Sequence, residues 1–477
     1  MASFTSFLRN KKVPSFKTFQ ALLRGPFTAF RLIVSMVLFA VCAVTFAILI
    51  LLNDKLLVTV PARGGTLAEG VIGAPHFINP ILATTATDLR LTALIYAPLS
   101  SDMQGYTVSP DGKSYTITLL PNLRFSDRKP LTSADVAFTV EKMQNNAISS
   151  QSDYWQNISM ETPDASTVVF TLPNPDTSFL DHLNFGILPQ HLWQNVSDQN
   201  FDYASQNLRP VGNGPFKVSS VDYVNGIPST VVLARNPYAT SGTALLSNLT
   251  IATYANQTAL MNALQSGDVD FSYDTDPMAL QNESLNGLTV RAIPTNQTVS
   301  LYRSSSDTAL GNSSTVMQLN AIIDKNAIIA IVRNGYGTPA GTPVNASQAT
   351  AGKIPSTGFS VAVENDPDML LAGQTLTQQL QQQGIPVTVK AFDPGTFQNN
   401  ITAGTFTIFL ARSTSVNIPQ QYSAVLPLYT ESVPYIFDAR VHTIIPATLS
   451  SPISEYDNVK EWYTDTNRLW KWFIRKN

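Results

Sequence analysis

The chain has 477 residues, with 30 Lys+Arg against 33 Asp+Glu and a formal charge of −3, a length that allows two or three domains at roughly 100–200 residues each. A hydrophobic share of 44% excludes a disordered chain, and a charged share of 13%, about half the usual ~25%, leaves Asn, Gln, Ser and Thr to supply the polarity. The near-neutral balance argues against nucleic acid, the single cysteine excludes a disulfide framework or multi-cysteine metal site, and His76, His182, His191 and His442 show no metal-ligand spacing.

In chain order, the first element is a run of 21 residues without a charge, Leu32 to Leu52, long enough as a helix to span a ~30 Å hydrocarbon core. Six basic residues precede it (Arg9, Lys11, Lys12, Lys17, Arg24, Arg31), and the first carboxylate is Asp54. That bias predicts residues 1–31 as a cytoplasmic tail, 32–52 as a transmembrane helix, and the bulk of the chain outside the cell membrane. A cleaved signal peptide is the rival reading; it asks for ~7–15 apolar residues and a small-x-small cleavage site, and the exit Asn53-Asp54-Lys55-Leu56-Leu57 offers none. Residues 53–65, with Pro61 and Gly64-Gly65, read as a linker.

Beyond it, strand and helix signals alternate. Ser109–Gly112 is a turn before a strand at Ser114–Leu120. Thr132 and Asp135 form a variant capping box that opens a helix through Met143. Val168–Leu172 and Ser229–Leu233 read as strands. Gln257–Ser266 is a helix stopped by Gly267, followed by a strand at Val269–Tyr273. Phe359–Val363, Met369–Gln383 and Ile385–Ala391 form a strand–helix–strand unit that implies parallel pairing. The aromatic segment with Val459, Trp462, Tyr463, Leu469, Trp470, Trp472 and Phe473 suits a final amphipathic helix packed on the larger lobe, with a membrane-surface helix as the alternative. The expected domains are a larger lobe of residues 66–295 plus 411–477 and a smaller α/β lobe of residues 296–410.

Catalytic signals are weak. Asp268, Asp270, Asp274 and Asp276 crowd one turn but lack the Gly and bidentate Glu of a calcium loop, so solvated acids are expected there. No nucleophile-elbow, phosphate-loop, dinucleotide or zinc-protease motif occurs. A hydrolase would need a Ser beside His182, His191 or His442. His191 reads as a packing or capping residue. The nine Asn-x-Ser/Thr sequons are at chance level for so Asn-rich a chain.

At Tyr106–Met143 the sequence Ser109-Pro-Asp-Gly-Lys-Ser-Tyr-Thr-Ile-Thr-Leu, then Leu123-Arg-Phe-Ser-Asp and Pro130-Leu-Thr-Ser-Ala-Asp-Val-Ala-Phe138, resembles family-5 extracytoplasmic solute-binding proteins of peptide ABC importers. Further similar segments follow in the family's order: Pro210–Lys217, Leu233–Tyr238, Ala259–Asp270, Leu319–Ile328 and Gly335–Pro339. The resemblance implies an α/β, two-lobed periplasmic-binding-protein-like (type II, cluster C-like) fold behind one N-terminal transmembrane helix. It implies a non-enzyme with no cofactor or metal, delivering peptide-like solutes to ABC permease subunits. A degenerate fold serving as receptor, sensor or envelope-complex subunit is the alternative.

The resemblance also marks candidate ligand residues, with ordinary packing as the other reading of each. Asn79 and Pro80 follow the first strand, Asn213 and Gly214 occupy the Gly-x-Gly-Pro segment, and Tyr302 and Arg303 sit near the crossover into the second lobe. Two departures stand out. The stretch after Pro343 is short, and no carboxylate lies between Arg412 and Glu431, where peptide binders of the family place a partner for the ligand's amino terminus. Either the ligand lacks a free amine, or another acid substitutes, or solute carriage has been lost.

Overall fold

The computed structural model describes residues 28–240, 242–281, 285–307, 310, 313–341, 358–413, 417–443, 446–451 and 453–470. The chain divides into two compact units, one of residues 1–61 with 466–477 and the other of Ala62–Asp465.

In the first unit, helix α1 (Thr28–Leu56) is 29 residues long, and its apolar window Ile33–Ile50 has no buried residue. It runs directly into strand β1 (Leu57–Pro61). This corrects the expected linker at 53–65. The run Val58-Thr59-Val60 is β-branched, hence extended, and finds an antiparallel partner in the last strand of the chain, residues Thr466–Trp470. The same pairing corrects the expected final helix, since 466–470 are strand; residues 471–477 lie outside the described set. Val459 and Trp462 do pack into the larger core of the second unit, as that reading required, but from a 3₁₀ turn at Val459–Glu461 and the extended residue after it.

The second unit is built on one long mixed sheet. Its strands are β2 (Thr66–Ile72), β7 (Phe216–Val224), β8 (Ile227–Arg235), β9 (Asn248–Tyr254), β10 (Phe271–Ser272), β11 (Leu288–Ser304), β13 (Phe359–Glu364), β14 (Val387–Phe392), β15 (Ile408–Arg412) and β16 (Tyr422–Asp438), in the order β14-β13-β15-β11-β16-β10-β2-β9-β8-β7. The short β12 (Gly337–Pro339) adds to β16. A separate four-stranded antiparallel sheet, β3-β4-β6-β5, comprises β3 (Met103–Val108), β4 (Ser114–Leu119), β5 (Ser159–Asp164) and β6 (Thr167–Thr171).

Two principal cores result. The larger surrounds Leu94, Trp155, Phe170, Phe216 and Trp462; the smaller surrounds Leu301, Ile328, Leu376, Leu410 and Leu428. In the smaller lobe the strands alternate faces. Leu301, Val361 and Leu410 point to that core, while Tyr302, Ala362 and Phe409 join an aromatic layer under Phe397. A period of two with both faces covered is what a helix–sheet–helix sandwich demands.

The strand pair β11 and β16, each 17 residues long, passes through both lobes. Ile293 and Tyr435 belong to the larger core, Val299, Leu426, Leu428 and Tyr429 to the smaller. Their register breaks between Pro294 and Thr298, where proline cannot donate to the ladder. Residues 422–429 therefore pack in the smaller lobe, a correction to their assignment to the larger one: β16 must follow its partner β11 across.

Local signals placed the remaining elements well. The helix Ser133–Gln144 begins where Asp135 accepts hydrogen bonds from the Thr132 N–H (2.8 Å) and hydroxyl (3.0 Å). Helix Gln257–Ser266 ends at Gly267 with φ 78°. β13, the helix Pro367–Gln382 and β14 form the expected parallel unit. The strand at Val269–Tyr273 shortens to Phe271–Ser272.

Candidate ligand pocket in the larger lobe

Helix α2 (Ala86–Ile95) is capped by Thr85, whose side chain accepts from the Asp88 N–H. It ends at Tyr96, where the backbone turns extended toward Pro98. This exit is held from behind by residues 212–215. The Gly214 N–H donates to the Ile95 carbonyl at 2.7 Å, and a Cβ at 214 would sit 2.6 Å from the Ile95 carbonyl carbon. At Gly212 it would lie 2.2 Å from that carbonyl oxygen. Only glycine permits so close a backbone approach.

Asn213 completes the brace. Its Oδ1 accepts from the Ala97 N–H at 3.1 Å, and its Nδ2 donates to Asp102 Oδ2 at 2.6 Å. Burial pushes the Asp102 carboxyl up to about 7, although hydrogen bonds from Thr240 and Asn213 pull the other way. Asn79, fully buried, donates to Asn207 Oδ1 (2.9 Å) and accepts from the Ile81 N–H (2.9 Å), fixing the loop that carries Pro80.

These segments wall a cavity of about 630 Å³. Pro80, Ile81, Leu89, Thr92, Tyr96–Pro98 and Asn184–Gly186 line it. Gly186 packs so closely that an added Cβ would lie 2.6 Å from Tyr96 Cβ. Ser150, Gln151, Asp181, His182, Tyr456, Asp457 and Lys460 line it too. Among the described residues, the buried Tyr96 and Thr92 hydroxyls have no hydrogen-bond partner. Both residues line the cavity, and buried polar groups ordinarily find a partner. Carboxylates (Asp181, Asp457), the Lys460 ammonium and the His182 ring border the same space, an arrangement suited to a polar ligand.

Of the six residues singled out from sequence, Pro80 lines this cavity, and Asn79, Asn213 and Gly214 brace its walls. Tyr302 and Arg303 lie on β11 in the smaller lobe, apart from the other four. Tyr302 stacks on Phe409 at 5.2 Å, and the Arg303 guanidinium reaches the Ser304 and Asp307 carbonyls at 3.5 Å. Sequence reading missed Thr92 and Tyr96. The one available signal was their place in Leu91-Thr-Ala-Leu-Ile-Tyr96, where polar hydroxyls interrupt an apolar helix end.

Tyr456 joins the pocket to a buried ionic cluster. Its hydroxyl donates to Glu69 Oε2 at 2.7 Å, and Arg90 pairs with Asp274 (2.5 Å) and Glu455 (2.7 Å). Burial raises the Glu69 carboxyl well above the usual range, with Glu455 adding to the rise, and holds Glu455 up to about 7 against the pull of Arg90. Two buried carboxylates, Glu69 and Glu455, lie around the Arg90 guanidinium, and burial favours the protonated form of each. Asp274, paired with Arg90, is no solvated acid, correcting that expectation. The turn it sits on is stitched into the lobe, with Asp270 accepting from the Ala68 N–H and pairing with Arg440.

The histidines have structural partners. His182 stacks on Tyr154 at 3.8 Å, His442 on Tyr463 at 4.8 Å, and His191 pairs with Asp127 at 2.7 Å. In the smaller lobe Arg412 pairs with Glu431 (3.0 Å), Asp366 (3.3 Å) and Asp368 (3.6 Å), and Arg333 with Asp368 (2.7 Å).

The fold places the chain among two-lobed α/β binding proteins. Residues 78–358 match the model of bacterial extracellular solute-binding proteins, family 5 (middle region), and the chain belongs to that family. Protein XP55 of Streptomyces lividans is 24% identical over 337 residues, covering 66% of this chain and 58% of the relative. The glutathione-binding protein GsiB of Salmonella typhi is 25% identical over 321 residues, covering 61% and 60%. The match thus spans less than two thirds of either curated relative. Among solved structures, the ABC transporter substrate-binding protein CtaP of Listeria monocytogenes superposes with a TM-score of 0.64 at 21% identity, covering 84% of this chain and 99% of that one.

Proposed function

We propose that this chain is an extracytoplasmic solute-binding protein that collects peptide-like solutes for the permease of an ABC importer and is held at the cell membrane by α1. It is a binding protein and not an enzyme. The observation that carries the reading is the 630 Å³ cavity with its unpartnered Tyr96 and Thr92 hydroxyls, in a chain of this family. Peptides supply amide donors and acceptors for those hydroxyls and terminal charges for the mixed rim. Supporting it, GsiB is a glutathione-binding protein and CtaP an ABC transporter substrate-binding protein. The lobe division follows the two cores, with β11 and β16 as the connection across which closure would occur.

The test is thermal unfolding of the full chain in detergent against pooled di- to hexapeptides, with sugars as controls. A ligand at 100 times its dissociation constant stabilises by about 2.7 kcal/mol. Tyr96→Phe should leave the free protein as stable or slightly more so, because an unsatisfied buried hydroxyl is removed, yet shrink the peptide-induced shift. A cooperative unfolding transition that no pool moves would favour the scaffold alternative.

A further inference from the structure

A second concavity is formed by the loop 195–206 and shares no lining residue with the pocket described above. The base of this loop is buried. Trp193 and Phe201, at most 1% exposed, pack with ring centroids 4.7 Å apart. The buried Asn207 donates from Nδ2 to the Phe201 carbonyl (2.8 Å) and the Asp202 carbonyl (3.1 Å). Two 3₁₀ turns, Asp198–Asn200 and Ser205–Asn207, carry the chain over these anchors. A loop tied down at its base can present its outward side chains in a fixed arrangement.

The concavity holds about 410 Å³, within the ~300–1,000 Å³ range of small-ligand sites. Asn195, Ser197, Asn200 and Gln206 supply its polar lining, and no lining residue is charged. Asn200 Nδ2 donates to Ser197 Oγ at 3.1 Å, and Gln206 Nε2 to the Leu192 carbonyl at 3.2 Å. Tyr203 lines the same space and is 86% exposed, the most exposed large apolar side chain among the described residues of this unit. Single exposed rings are ordinary. A ring set in a concavity among neutral amides and a hydroxyl offers both a flat apolar face and hydrogen-bonding groups around it.

That lining fits an uncharged ligand. Amides and hydroxyls both donate and accept. The charged residues between 195 and 206 are Asp198 and Asp202, and neither lines the concavity. Asp198 is paired with Lys142 at 2.6 Å. A phosphate or carboxylate would therefore meet no cation in the lining. A pyranose offers what the loop lacks: an apolar C–H face to cover the phenol ring, and hydroxyls at its edge for the amides.

We propose that residues 195–206 form a second binding site, a surface subsite for neutral sugar chains with Tyr203 as its stacking platform. The site is independent of the peptide reading of the larger pocket.

The full chain, in a detergent without a sugar headgroup, is tested by saturation-transfer NMR with maltohexaose, cellohexaose and chitohexaose. A parallel arm measures co-sedimentation with insoluble starch, cellulose and chitin. Binding in the first arm marks free oligosaccharide as a ligand; binding in the second alone marks an insoluble glycan. Tyr203→Ala should raise the dissociation constant about tenfold, whereas Tyr203→Phe, which keeps the ring, should retain binding. Because Tyr203 is so exposed, both variants should unfold at the parent's temperature. Any peptide-induced thermal shift should also survive in both, so this site and the larger pocket fail separately. A cooperatively folded chain that binds no sugar in either arm overturns the proposal. So does sugar binding that Tyr203→Ala leaves unchanged, or equal binding of the polyanion polygalacturonate.

Discussion

In the larger lobe Glu69, Asp274 and Glu455 surround Arg90; in the smaller, Asp366, Asp368 and Glu431 surround Arg333 and Arg412. Both clusters carry more carboxylates than guanidiniums, but water reaches them differently. The Glu455 and Arg90 side chains are 2% and 7% exposed, whereas Asp366 and Asp368 are 36% and 25% exposed. Burial raises the Glu69 and Glu455 carboxyls. In the smaller lobe, solvent and the second guanidinium carry the excess charge. The same residue types therefore make a proton-holding core feature in one lobe and an ordinary salt-bridge network in the other.

The hardest way to break this comparison is Arg90→Met. It strands three carboxylates around a buried apolar side chain, and losing one partner of a buried ion pair costs about 3–5 kcal/mol. Urea unfolding of the full chain should show a loss of that order, with part of it recovered when Glu455→Gln is added.

The pH dependence follows with a definite sign. Glu455 rises from its ordinary 4.5 to about 7, and Asp102, bonded to Asn213, also reaches about 7. A carboxyl raised in the folded state binds its proton more tightly there than in the unfolded chain. Its stabilisation is full below the unfolded value and is lost as pH climbs through about 7. Each group can contribute a fall of up to about 1.4 kcal/mol per pH unit within that window. Unfolding midpoints measured at steps from pH 4.5 to 8 should decline with pH, and Glu455→Gln should flatten the decline. Stability that instead increases across this range would show that the cluster is fully ionised.

How much of this the sequence disclosed depends on distance along the chain. The Thr132–Asp135 box, the Gly267 stop and the strand–helix–strand at 359–391 are decided within a turn or two and were readable. Asn213 and Gly214 were found through a motif, but their role was not, because the backbone they brace belongs to Ile95–Ala97. The β1 ribbon and the Arg90 cluster are pairings between remote segments: Leu57 meets Trp470, and Arg90 meets Asp274 and Glu455. No local period announces them, so Leu57–Pro61 looked like linker and Asp274 like a solvated acid.

Gly214→Ala tests the brace. The added Cβ would meet Ile95 backbone at 2.6 Å, and overpacking of this kind costs about 1–3 kcal/mol. Because the added Cβ also meets the backbone of Tyr96, which lines the cavity, any peptide-induced thermal shift should fall further than that of an equally destabilised variant remote from the cavity.

The smallest effect is expected in the smaller lobe, and its size sharpens the contrast. A double-mutant cycle on Arg412→Met and Asp366→Asn isolates the pair at 3.3 Å. Asp366 also caps its helix, accepting from the Met369 N–H at 3.0 Å, and asparagine keeps an acceptor for that bond. The cycle therefore removes charge without uncapping the helix. With Asp366 36% exposed, the coupling should be about 0.2–1 kcal/mol and should shrink as salt is added. The corresponding cycle on Arg90 and Glu455, both nearly dry, should exceed it and respond little to salt. Equal salt sensitivity in the two cycles would mean that water reaches Arg90 as freely as Arg412, and the distinction between the lobes would fail.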